Sequence, residues 1–126
     1  GVSLLDEEQI NRAISDFIKK RGLRFGPVAF MEGRYQQLAM KFLGTGITPL
    51  PCKALYSSYF IDPYGDVYPC SIMGDKIANI RDYDYNLAKI CASAKVHQLR
   101  EKIKNGNCPQ CWTPCEAYQT ILGNLF

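Results

Sequence analysis

The chain has 126 residues, and 15 Lys and Arg against 12 Asp and Glu leave a formal charge of +3. That length suits one domain, and 47% hydrophobic residues with 12% aromatics supply a core and exclude a disordered chain. No apolar run approaches the roughly eighteen residues of a membrane span, so no membrane is expected as a partner.

The first element expected is an amphipathic helix from Glu7 to Arg21, because Ile10, Ala13, Ile14, Phe17 and Ile18 repeat at helical spacing. Asp6 with Gln9 can form its capping box, and Gly22 suits a left-handed stop. The densest basic run of the chain, Lys19-Lys20-Arg21, falls at the end of this helix, where cations offset the carbonyl end of the dipole. With the rest of the charge spread thinly, no nucleic-acid partner is expected. A second helix is expected from Val28 to Leu43, with Pro27 before it, Gly44 closing it, and Met31, Tyr35, Leu38, Ala39, Phe42 and Leu43 on its apolar side. The following Gly- and Pro-rich stretch to Pro51 breaks the helical period.

From Tyr56 to Cys70 the pattern is a β-hairpin, with two Tyr-, Phe-, Ile- and Val-rich runs flanking Asp62-Pro63-Tyr64-Gly65. Asp bonds back to the backbone, Pro presets φ and Gly accepts a positive φ, which together predict a type I turn with a bulge. Pro69 then ends the pairing just before Cys70. A third helix is expected from Tyr85 to Lys104, carrying Leu87, Ile90, Cys91, Ala94, Leu99 and Ile103 inward and stopped by Gly106. A short last helix is expected from Glu116 to Leu122. The class is therefore α+β: N-terminal helices, a β-hairpin, a long helix and a C-terminal cysteine knuckle. The domain division expected is a helical segment over 1–48 and a cysteine domain over 49–126.

Six cysteines are the unusual feature. The N-terminus has no basic stretch followed by an apolar run and a small-residue cleavage site, and no Asn lies in a glycosylation triplet, so cytoplasmic thiols are expected rather than a disulfide framework. Cys108-Pro109-Gln110-Cys111-Trp112-Thr113-Pro114-Cys115 is a C-x2-C-x3-C run, the local geometry used by both zinc and iron–sulfur clusters. Its further ligands have to come from Cys52 and Cys70. Cys91 is expected to pack beside Leu87, His97 to be a surface residue, and Trp112 to shield the metal site from water.

Cys52, Gly65 and Cys70 together read C-x12-G-x4-C, and the phrase from Phe60 to Cys70 looks much like the hairpin that opens the SPASM/twitch domain. The chain from about Cys52 to Leu122 resembles that domain, the auxiliary-cluster module of radical S-adenosylmethionine (SAM) enzymes. The resemblance implies a bound [4Fe-4S] cluster, with Cys52 and Cys70 as hairpin ligands, Cys108 and Cys111 as the C-x2-C, and Cys115 as the substitute fifth thiol. It implies a radical SAM barrel as partner domain, with its own cluster and S-adenosylmethionine, and a peptide or small-molecule substrate. The chain departs from the full two-cluster pattern by its shortened C-x2-C-x3-C and by having no cysteine after Cys115, so one cluster is expected, as in the reduced twitch type. Its role would be electron relay or substrate anchoring, with no catalysis by the domain alone. The alternative is a four-cysteine zinc module with a structural or interaction role.

Overall fold

The computed structural model describes residues 7–20 and 25–125. In helix α1 (Glu7–Lys20), Ile10, Ile14 and Ile18 are half-buried, while Glu8 and Arg12, one turn apart, form an exposed ion pair. Phe17 departs from the expected stripe and is 58% exposed. The end signals expected at Asp6, Arg21 and Gly22 lie outside the described residues.

Helix α2 (Pro27–Thr45) has Pro27 in its first turn, where a missing N–H costs nothing. Gly44 lies inside the helix instead of ending it. The stop is Gly46, at φ 66°, whose N–H donates to the Phe42 carbonyl at 2.7 Å.

The expected hairpin is shorter than its sequence pattern. Strand β1 (Phe60–Ile61) pairs antiparallel with β2 (Asp66–Tyr68) in the register Phe60 to Tyr68 and Ile61 to Val67. The turn between them is as its residues dictate: Asp62 Oδ1 accepts from the N–H groups of Tyr64 and Asp66, both at 2.9 Å, and Gly65 has φ 88°. The segment expected to extend the first strand instead folds into a turn, in which Tyr56 and Ser57 both donate to the Lys53 carbonyl at 3.0 Å. Burial of Leu55 drives this departure, since its side chain is fully enclosed at φ 68°.

A third strand, β3 (Ala78–Asn79), pairs antiparallel with β2, giving the sheet order β1-β2-β3. Two residues have no readable period, and nothing in the sequence marked it. Asn79 ties the sheet to the 3-10 turn Ile80–Tyr83: its Nδ2 donates to the Tyr64 carbonyl and to Asp66, and its Oδ1 caps that turn.

The long helix expected over Tyr85 to Lys104 is two helices, α3 (Leu87–Cys91) and α4 (Ala94–Lys104). Ser93 makes the break, its Oγ accepting from the Val96 N–H at 3.4 Å as the cap of α4. The break resets the phase. In one continuous helix Ile90 and Val96 would face apart, whereas here both are fully buried and Ala94 faces solvent. The last helix, α5 (Pro114–Gly123), starts two residues before the expected position.

The buried side chains form two groups. One gathers Leu55, Val67, Met73, Ile90, Val96 and Leu99, with Cys70 and Cys108 packed against it. The other joins Leu38 of α2 to Trp112, Ala117 and Ile121, flanked by Met31, Tyr35, Ala39 and Phe42 as the apolar spacing predicted. Trp112 is the link in this second group. Its Nε1 donates to the Tyr35 carbonyl at 3.0 Å and its ring stacks on Tyr35 at 6.1 Å. Among the described residues, no helix is long and apolar enough to cross a membrane. Replacing Trp112 by Ala is expected to cost about 3–5 kcal/mol, read as a lowered urea midpoint. Trp112→Phe, which keeps one aromatic ring but loses the pyrrole part of the indole and its bond to Tyr35, is expected to cost less than the alanine change, about 1–3 kcal/mol.

Candidate metal centre

Four thiols from three separate segments reach one cavity. Cys52 follows the Pro-rich exit from α2, Cys70 follows β2, and Cys108 and Cys111 lie in the knuckle between α4 and α5. Between the sulfurs the walls are largely apolar, formed by Ala54, Ile72, Met73 and Ile103.

Each of these sulfurs has a hydrogen-bond donor close by. Ala54 N–H points at Cys52 Sγ at 3.5 Å, and the backbone N–H groups of Ile72 and Met73 point at Cys70. Gln110 Nε2 lies 3.6 Å from Cys108 Sγ, and Thr113 Oγ1 lies 4.0 Å from Cys111 Sγ. Donors aimed at sulfur stabilise the thiolate and, in an iron–sulfur site, tune the potential.

The knuckle is clamped from outside by Thr48, a residue that no motif singled out. Thr48 Oγ1 donates to the Cys111 carbonyl at 3.1 Å and accepts from the Cys111 N–H at 3.2 Å, while Thr48 N–H donates to Gln110 Oε1 at 2.8 Å. Gln110 itself sits at φ 52°, a left-handed conformation that turns the chain between the two cysteines. On the other side, the Lys53 N–H donates to the buried Thr120 Oγ1 at 3.1 Å, fixing the backbone next to Cys52.

Glu116 is the carboxylate lining the cavity, and no sequence motif pointed to it either. Burial pushes its pKa up, partly offset by hydrogen bonds from Ser58 and Gln119. Burial likewise pushes the Cys52 and Cys70 thiols up, reinforced by the nearby charges of Glu116 and Cys111 and opposed by the backbone donors. Among the described residues, no Lys or Arg lines the cavity. A nucleophilic or redox-disulfide cysteine is ordinarily activated by a neighbouring cation or a helix terminus. A bound metal would supply the charge that holds these thiols ionised.

The other predicted residues lie apart from the cavity. Cys115, in the first turn of α5, is exposed, its sulfur 3.2 Å from Thr113 Oγ1 and 3.7 Å from Ser71 Oγ. Cys91 is half-buried beside Tyr59, whose phenol is pushed up to about 12 by burial first and by Cys91 next. His97 is exposed. Trp112 is not among the side chains lining the cavity; it faces α2, so its role is to dock α2 on the knuckle rather than to shield the thiols.

A model of the SPASM family, described as an iron–sulfur cluster-binding domain, matches residues 52–116. The chain belongs to the SPASM family. No curated protein and no solved structure matches it. The SPASM match starts at Cys52 and runs past Cys115, so it takes in all five predicted site cysteines. SPASM domains bind iron–sulfur clusters, and the donor set of the cavity fits that group: four soft sulfur ligands, largely apolar walls and N–H or O–H donors at the sulfurs. Among the described residues, no three His, Cys, Asp or Glu side chains close round a point that could hold a single metal ion; the thiols stand on the walls of a shared cavity.

Thr48→Val is expected to destabilise the protein by about 1–2 kcal/mol, because it strips both partners from the Cys111 backbone. Thr48→Ser should restore the loss, as measured by urea unfolding, with iron retention during gel filtration following the same order.

Proposed function

We propose that this SPASM chain holds one [4Fe-4S] cluster on Cys52, Cys70, Cys108 and Cys111 and works as the accessory domain of a cytoplasmic radical S-adenosylmethionine enzyme. The observation carrying this reading is that these four cysteines, and not Cys115, line one cavity. When bound, a cluster of this kind supplies one-electron transfer. With all four positions taken by cysteine, relay of electrons is favoured over anchoring a substrate on an open iron.

The chain's own residues support that role in distinct ways. Ala54, Ile72 and Met73 would aim N–H groups at the ligand sulfurs, lowering the cost of their negative charge. Thr48 and Gln110 would hold the C-x2-C in its ligating shape. Ile72, Met73 and Ile103 would keep water from the cluster. In the proposed division, the 1–48 segment covers the domain, with α2 seated on Trp112, and Thr48 at its end also reaches the knuckle. The barrel in the full protein would supply the reaction on a peptide or small-molecule substrate.

Anaerobic purification followed by iron, sulfide and zinc analysis tests the proposal. About four irons and four sulfides per chain are expected, with an electron paramagnetic resonance signal on reduction. Alanine at Cys52, Cys70, Cys108 or Cys111 should each empty most of the site, while Cys115→Ala and Cys91→Ala should keep the wild-type iron count. Stoichiometric zinc with no sulfide would replace this reading with the four-cysteine zinc module.

A further inference from the structure

A second, larger cavity shares two of these cysteines, Cys52 and Cys108, with the inner one. This groove has a volume of about 500 Å³, within the range of small-molecule sites. The two cavities differ in charge. The inner one has Glu116 and no cation, whereas the groove is lined by Lys53, Arg100 and Lys104 and by no Asp or Glu.

The groove is also built in advance. Arg100 donates from Nε and Nη2 to the Leu55 carbonyl at 3.0 and 2.6 Å, which fixes its guanidinium over the Tyr56 ring at 4.5 Å from the centroid. Lys53 Nζ approaches the same ring at 5.9 Å, and the aliphatic part of Lys53 lies against Gly123, where an added Cβ would come within 2.7 Å of Lys53 Cγ. Lys104, one turn after Arg100 in the last turn of α4, also lines the groove. The described residues contain no ion pair to any of these three cations. Pro49, Leu50, Pro51 and Ile103 add apolar surface to the groove.

We propose that this groove binds an organic carboxylate with an apolar body. The carboxylate would sit between Lys53 and Lys104, and the body would lie between Tyr56 and the proline wall. Three cations with no ion pair among the described residues call for an anion, while the ring and apolar wall favour a carbon skeleton over a bare phosphate. One consequence rests on the cluster reading above: an anion seated beside Cys52 and Cys108 disfavours adding an electron to the cluster. By linkage, reduction would weaken binding of the acid by the same factor that the acid disfavours reduction.

Calorimetric titration with benzoate, its neutral counterpart benzamide, and inorganic phosphate tests the site. Benzoate should bind, benzamide and phosphate should bind at least about tenfold more weakly, and Kd for benzoate should rise with salt. The Lys53→Met/Lys104→Met variant, which keeps the aliphatic stems, should lose benzoate binding by a similar factor with an unchanged circular dichroism spectrum. A separate Tyr56→Ala variant should weaken benzoate more than it weakens phosphate. Equal binding of benzoate and benzamide, phosphate binding as tight as benzoate, or an unaltered Kd in the double variant would overturn the assignment. Iron and sulfide counts on the same samples report on the cluster independently, so failure of the groove and failure of the cluster reading are told apart.

Discussion

Segment 48–55 is gripped by side chains from the second half of the chain, and the metal site depends on that grip. Thr48 holds the backbone of Cys111, Thr120 holds the Lys53 N–H beside Cys52, and Arg100 takes the carbonyl of Leu55 with two donors. These contacts bring residues separated by 45 to 67 positions within bonding distance. Loop closure over such separations costs entropy, and the enclosed Leu55 side chain with the sheet and helix core around it offsets that cost. Cys52 is thereby delivered to the same cavity as Cys70 and the knuckle.

The site is organised by a separation of charge on two sides of the same cysteines. Inward, burial pushes the Cys52 and Cys70 thiols and the Glu116 carboxyl up, and the charges of Glu116 and Cys111 add to the rise of the two thiols. Outward, Lys53, Arg100 and Lys104 face solvent across a groove. Cations placed inside would have favoured free thiolates and made reactive cysteines. Placed in the groove, they present a positive surface beside Cys52 and Cys108.

Much of the local structure is legible in the sequence because local chemistry decides it. Asp62, Pro63 and Gly65 specify their turn through bonds spanning four residues. The apolar spacing of α2 identified Met31, Tyr35, Leu38, Ala39 and Phe42 as its packed side. The failures occur where a distant partner outweighs the local pattern. A β-rich run at 56–59 turns instead of extending, because burying Leu55 and engaging its carbonyl with Arg100 and Tyr59 prevails over strand propensity. The periodic stretch from 85 to 104 breaks at Ser93, a capping signal present in the sequence and hidden by a continuous apolar pattern. β3 is too short to carry a period at all.

By itself the sequence determined the α+β class and the resemblance of the cysteines around Gly65 to the SPASM pattern, which implied an iron–sulfur function with a zinc module as the alternative, because residue types and spacings are read directly from the chain. It left five cysteines competing for four places. Only the tertiary structure shows a difference among them: Cys52, Cys70, Cys108 and Cys111 line one cavity, while Cys115 is exposed in the first turn of α5, near Ser71 and Thr113. Spacing cannot reveal that difference. The direction in which a helix leaves the knuckle is set by what it packs against, here α2 through Trp112 and Ile121.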